Sequence, residues 1–131
     1  MKRLLNKQID GHRTGALTVE FALVAPIIFA LFIGCLELTS MNLIRQTAGN
    51  AAYEAARNAV IPGATEAEAR QVAVRLLNSV RATTNVDIDI DDNGRVVVVT
   101  ITVPISDNGW GLARFSGGLS IVKRCSMARE I

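Results

Sequence analysis

The chain has 131 residues, half of them hydrophobic, a mean hydropathy of +0.30 and a net charge of +2. That length holds one modest folded domain beside an apolar segment, and the hydropathy fits a chain with one bilayer-embedded element. So small a net charge gives no basis for nucleic-acid binding, and two distant cysteines, Cys35 and Cys125, supply no disulfide framework.

Charge placement says more than charge total. Lys2, Arg3, Lys7 and Arg13 precede a long apolar run, whereas Arg45 is the only basic residue at a comparable distance beyond it. The positive-inside rule then keeps the N-terminus cytoplasmic and exports the C-terminal part. From Leu17 to Leu38 the run is roughly 33 Å long as a helix, against a hydrocarbon core of about 30 Å. A secretory signal has a shorter apolar region and a small-x-small cleavage site, and no convincing Ala-x-Ala site follows here. A lipoprotein reading rests on Phe32-Ile33-Gly34-Cys35, with Cys35 as the lipidated residue. Phe in place of the usual Leu, and a leader made over-long by Glu20, count against it.

Glu20 is the residue that a plain anchor would lack. A carboxylate at the centre of a membrane helix costs about 2.5–3.5 kcal/mol on insertion scales. Gly15 stands five residues earlier, and this Gly-x-x-x-x-Glu spacing at a leader boundary reads as a processing site. The alternative is a Glu that snorkels to the cytoplasmic interface. Pro26 removes one helix hydrogen bond and kinks the span. Glu37 lies near the exported end, where interfacial water solvates it.

The helical pattern continues to about Val60. Ile44, Ala48, Ala51, Ala55 and Ala59 recur at spacings of three and four, giving a small apolar stripe. Two readings stand: a partner-helix face between copies, or a packing face within the chain. Glu54 and Arg57 can pair on this helix, and Pro62-Gly63 ends it. Thr65 with Glu68 forms a capping box that opens a second helix ending near Val80. Its buried stripe is Val72, Leu76 and Val80 with Ala69, Ala73 and Leu77, and Arg70, Arg75 and Arg81 face outward or flank it.

After residue 84 the period changes from 3.6 to 2. Val86, Ile88 and Ile90 alternate with Asp87, Asp89 and Asp91, as in a half-solvated strand. Asn93-Gly94 predicts a tight hairpin with positive φ at both residues. That register sets Ile90 opposite Val97, Ile88 opposite Val99 and Val86 opposite Ile101, on one face. The returning strand runs from Arg95 to about Ile105. A Gly-rich loop over 108–118 follows, and a last strand from Leu119 to Ala128 pairs antiparallel with the 95–105 strand. The predicted fold is α+β: a long N-terminal helix, a second helix and a small antiparallel sheet of about three strands.

Candidate chemistry is sparse. Asp89, Asp91 and Asn93, followed by Gly94, match the first half of a calcium loop, but Thr100 stands where a bidentate Glu belongs. Turn chemistry and a solvated strand face explain the same residues without metal. The only histidine, His12, lies in the leader, and no Ser-His-Asp or Cys-His set can be assembled on the exported side. No zinc spacing, P-loop or dinucleotide fingerprint is present, so neither an enzyme nor a cofactor is expected. Trp110 and Phe115 either form an exposed tip or plug the end of the core.

The run Arg13-Thr-Gly15-Ala16-Leu-Thr-Val-Glu20-Phe21-Ala-Leu-Val-Ala-Pro26, with Arg45-Gln46 and Ala51-Ala52-Tyr53-Glu54-Ala55-Ala56-Arg57, resembles the TadE-like proteins. These are minor pilins or pseudopilins of the tight-adherence (Tad/Flp) pilus system, of the type IVb class. The resemblance covers about residues 13–60. It implies a cytoplasmic leader over 1–15, a transmembrane helix over 16–38 and an exported α+β domain over 39–131. It further implies cleavage after Gly15 by a prepilin peptidase, leaving Ala16 as the new N-terminus and Glu20 as the fifth mature residue. Other pilin or pseudopilin subunits and the Tad inner-membrane platform are the implied partners, at the bacterial inner membrane. The alternative is a generic single-pass envelope protein, or a lipoprotein, with a partner-binding exported domain.

Overall fold

A computed structural model describes the backbone at residues 2–109, 111 and 118–130, and the side chains from residue 15 onward within those ranges. Trp110 and Phe115 lie outside the described residues, as do the side chains of Lys2, Arg3, Lys7, His12 and Arg13. The chain divides into two units, Met1–Leu36 and Glu37–Ile131.

Helix α1 runs Lys2–Val60 and passes through both units, with Pro26 inside it. Pro26 leaves the Ala22 carbonyl without its usual i+4 donor, a loss that membrane helices tolerate. In the first unit the side chains from Leu17 to Leu36 are exposed or half-exposed, Phe21 reaching 71%.

The second unit is built on the Ala-rich half of α1. Helix α1 ends where Gly63, at φ +88°, turns the chain. Thr65 then caps α2, Glu66–Ser79, in the expected box: Glu68 N–H donates to Thr65 Oγ1 at 3.3 Å, and Thr65 N–H to Glu68 Oε2 at 3.0 Å. Ala69, Ala73 and Leu77 form its buried stripe. Val72, Leu76 and Val80 are only half-buried, so the stripe is centred to one side of the predicted one. Glu54–Arg57, at 4.0 Å, and Glu66–Arg70, at 3.2 Å, pair along the exposed helix surfaces.

Strands β1 (Asp87–Asp92), β2 (Val96–Pro104) and β3 (Ser120–Ala128) form one antiparallel sheet in the order β1-β2-β3. The α+β architecture read from the sequence is thus the observed one. A short helix α3, Ile105–Asn108, lies between the expected strand and the expected loop, taking in the last residue of the one and the first of the other. Its Asn108 amide donates to the carbonyls of Thr84 and Pro104, and its Oδ1 accepts from Thr84 N–H, stitching two connections together.

The hairpin register differs from the predicted one by two residues. Ile88 stands opposite Ile101, Ile90 opposite Val99 and Asp92 opposite Val97. Positive φ falls on Gly94 (+83°) and not on Asn93, so the glycine takes the first central turn position instead of the second. Side chains hold it there: Asp92 Oδ1 accepts from Gly94 N–H at 2.9 Å, and Asn93 Oδ1 from Val96 N–H at 3.1 Å. A two-residue shift keeps each side chain on its original face, which is why the apolar face survived the error.

The core lies between the helices and one face of the sheet. Val97, Val99, Ile101 and Val103 are buried from β2, with Ile88 from β1. Facing them are Ile44, Ala48, Ala51, Ala52, Ala55, Ala56 and Ala59 of α1. Of the two readings of the Ala stripe, packing within the chain is the one realised. A partner helix would reach Ala51 or Ala55 only if this core opened. At the far end Arg129 Nη2 donates to Ala59 C=O at 2.8 Å and to Asp92 Oδ2 at 3.0 Å, tying α1, β1 and the end of β3.

Candidate processing and membrane site

The candidate site is a stretch of helix and not a cavity. Gly15, Ala16 and Glu20 all lie within α1, and each is exposed. Ala16 and Glu20 are four residues apart, hence on one helix face with a rise of about 6 Å between them. In the intact chain the Ala16 nitrogen is an amide. Cutting after Gly15 converts it to an ammonium about one turn from the carboxylate. Among the described residues Glu20 has no hydrogen bond or ion pair, so an arriving amine displaces nothing. A Cβ built on Gly15 meets nothing within 4 Å, so no contact with the described residues requires glycine there.

Around these residues the helix is apolar and unburied. Among the described residues one helix, over Gly15–Val60, is long and apolar enough to cross a membrane, and its apolar window is not buried within the protein. In water such exposure carries a transfer cost of about 25 cal/mol per Å², which a bilayer removes. Long apolar side chains such as Leu17, Phe21, Leu31 and Phe32 are displayed outward for that environment. Cys35 is exposed on the same helix and Cys125 is half-buried on β3; no disulfide joins them.

The second carboxylate of the helix behaves differently. Glu37 was expected to sit in interfacial water, yet it is 5% exposed, the one charged residue buried among the described residues. Its position explains this: Glu37 precedes Ile44 by seven residues and extends the series Ile44, Ala48, Ala51, Ala55, Ala59 toward the N-terminus. That spacing is present in the sequence, where a charged residue stands seven positions ahead of the first apolar member of the stripe.

The acidic segment does not form a metal cage. In β1 Asp89 and Asp91 alternate along an extended strand, and Asn93 Oδ1 is engaged by Val96 N–H. Among the described residues no group of three or more potential ligands converges.

The model of the TadE-like protein family matches residues 15–57. The match opens at Gly15 and takes in Glu20, the apolar run and the Ala-rich part of α1. No curated protein and no solved structure matches the chain.

Proposed function

We propose that this chain is a pilus-associated membrane protein of the TadE-like kind, processed as a minor pilin or pseudopilin of a Tad/Flp system. The single observation that carries the reading is the family match over residues 15–57, whose first residue is the Gly15 of the Gly-x-x-x-x-Glu spacing. In this reading residues 1–15 are a cytoplasmic leader, 16–38 the membrane span and 39–131 the exported domain. A prepilin peptidase cuts after Gly15. The new ammonium of Ala16 then pairs with Glu20 of the same or a neighbouring copy, which offsets the cost of a carboxylate in hydrocarbon and sets the register between subunits. Other pilin subunits and the inner-membrane platform of the system are the partners. The basic leader residues favour this orientation.

Co-expression with a Tad prepilin peptidase, followed by N-terminal sequencing of the membrane-bound protein, tests the reading. A mature start at Ala16 is expected. An intact Met1 overturns processing, and a lipidated start at Cys35 makes the chain a lipoprotein instead.

A further inference from the structure

Among the described residues both outer strands of the sheet have an open backbone edge, and the two strands carry opposite charge. Bonds from Arg129 N–H to Arg95 C=O at 2.8 Å and from Ile105 N–H to Leu119 C=O at 3.0 Å bracket the β2–β3 ladder. With the observed register, the odd-numbered β3 residues therefore bond β2. Ser120, Val122, Arg124, Ser126 and Ala128 turn their backbone groups away from the sheet. The Asn93 N–H to Val96 C=O bond, at 3.4 Å, sets the same alternation in the hairpin, so Ile88, Ile90 and Asp92 present the outer edge of β1. Among the described residues no hydrogen bond reaches the outward-turned backbone groups of either edge.

The β1 edge carries Asp87, Asp89, Asp91 and Asp92, and β3 carries Lys123 and Arg124. The inward residues of β2 are fully buried, whereas Ile121, Lys123, Cys125 and Met127 of β3 remain half-exposed on the same face. Lys123 sits there among apolar neighbours with no ion pair among the described residues. Open edges with such strands are templates for further pairing.

We propose that the free edge of β3 receives β1 of a second copy of this chain, so that the sheet continues from molecule to molecule. β1 and β3 run in the same direction, so a copy added in the same orientation pairs in parallel. In a parallel ladder the outward-bonding residues of β3 stand opposite the non-bonding residues of the incoming strand. Asp87, Asp89 and Asp91 of the second copy then share the helix-free face with Val122 and Arg124, and the helices of both copies keep to the other face. The register that sets Arg124 opposite Asp91 keeps all six β1 residues against β3. It also leaves Lys123 one diagonal step from Asp92 of the second copy.

The two symmetric alternatives are disfavoured by charge. Full overlap of β3 with another β3 puts Arg124 opposite Arg124, and pairing β1 with another β1 brings aspartates together. A contact between two different edges does not close on itself and permits rings or filaments. The inference rests on the strand edges alone and does not depend on processing at Gly15.

The test uses the full chain reconstituted in lipid vesicles, with Cys35 and Cys125 replaced by Ser. A mixture of Arg124→Cys and Asp91→Cys chains should cross-link on mild oxidation at about five times the yield of either variant alone. Separately, Arg124→Glu and Asp91→Lys should each cut self-association about fivefold, and chains carrying both should recover it. Both residues are surface-exposed or half-exposed, and circular dichroism checks that each variant stays folded. Equal yield from Arg124→Cys alone overturns the proposal in favour of a two-fold β3 contact. Unchanged association, or no recovery in the double variant, overturns it outright.

Discussion

Two glutamates seventeen positions apart on one helix have opposite surroundings, and a pair of substitutions separates their roles. Glu20 is exposed and unpaired among the described residues; Glu37 is buried in the second unit. Glu20→Gln removes a charge that supports nothing in the folded domain. It should leave the unfolding temperature unchanged; under the proposed processing it should also keep the start at Ala16 while lowering the fraction of protein recovered in assembled pili. Glu37→Ala deletes a buried polar side chain and should destabilise the domain by about 1–3 kcal/mol. Thermal unfolding in detergent measures both. Equal losses of stability would mean that Glu20 is structural.

At the scale of elements, what was legible in the sequence was what depends on local chemistry. The capping box at Thr65 and Glu68 needs only two residues three apart. The apolar face of the sheet needs only a period of two. The end of α1 at Val60 follows from Pro62 and Gly63. Other features depend on contacts between distant residues and left weaker traces. Asn108 owes α3 its place through bonds to Thr84, twenty-four positions away. The turn position was decided by Asp92 and Asn93 side chains competing for Gly94 and Val96 N–H groups, which composition does not rank. The Ala stripe was visible, but its occupant was not, because a small-residue face fits a sheet as well as a helix. The structure fixes the consequence of changing it. Ala51 is fully buried, so Ala51→Leu overpacks the core and should cost about 1–3 kcal/mol. A denaturant titration reads this as a lower midpoint at unchanged slope. A neutral result would show that α1 and the sheet can move apart and that the stripe is open to a partner after all.

For the whole molecule, the apolar half of α1 and the folded unit divide two tasks. One offers an apolar surface of bilayer length that carries Glu20, and the other buries its apolar residues against the sheet. The proposed site at Gly15 is a linear pattern on one helix, Gly15, Ala16 and Glu20, so it could be stated from the sequence with no tertiary arrangement to guess. The junction that unites the second unit was not readable. Arg129 reaches Ala59, seventy positions earlier, and Asp92 through one guanidinium. Arg129→Ala should cost about 1–2 kcal/mol, since the group is partly solvated. Hydrogen exchange should then rise first in the amides around Ala59 and Asp92, where the tie is lost. Uniform exchange across the sheet would contradict this.

The tie at Arg129 also imposes a timetable. Under the proposed export, a chain that crosses the membrane behind its anchor delivers α1, α2 and the hairpin before residues 120–129. Until those arrive, β2 has one ladder partner instead of two, and the Val97–Val103 stripe lacks the strand that shields its far side. Residues 120–129 therefore decide when the second strand beside β2 is in place. In that interval a neighbour's strand can take the place that β3 will fill.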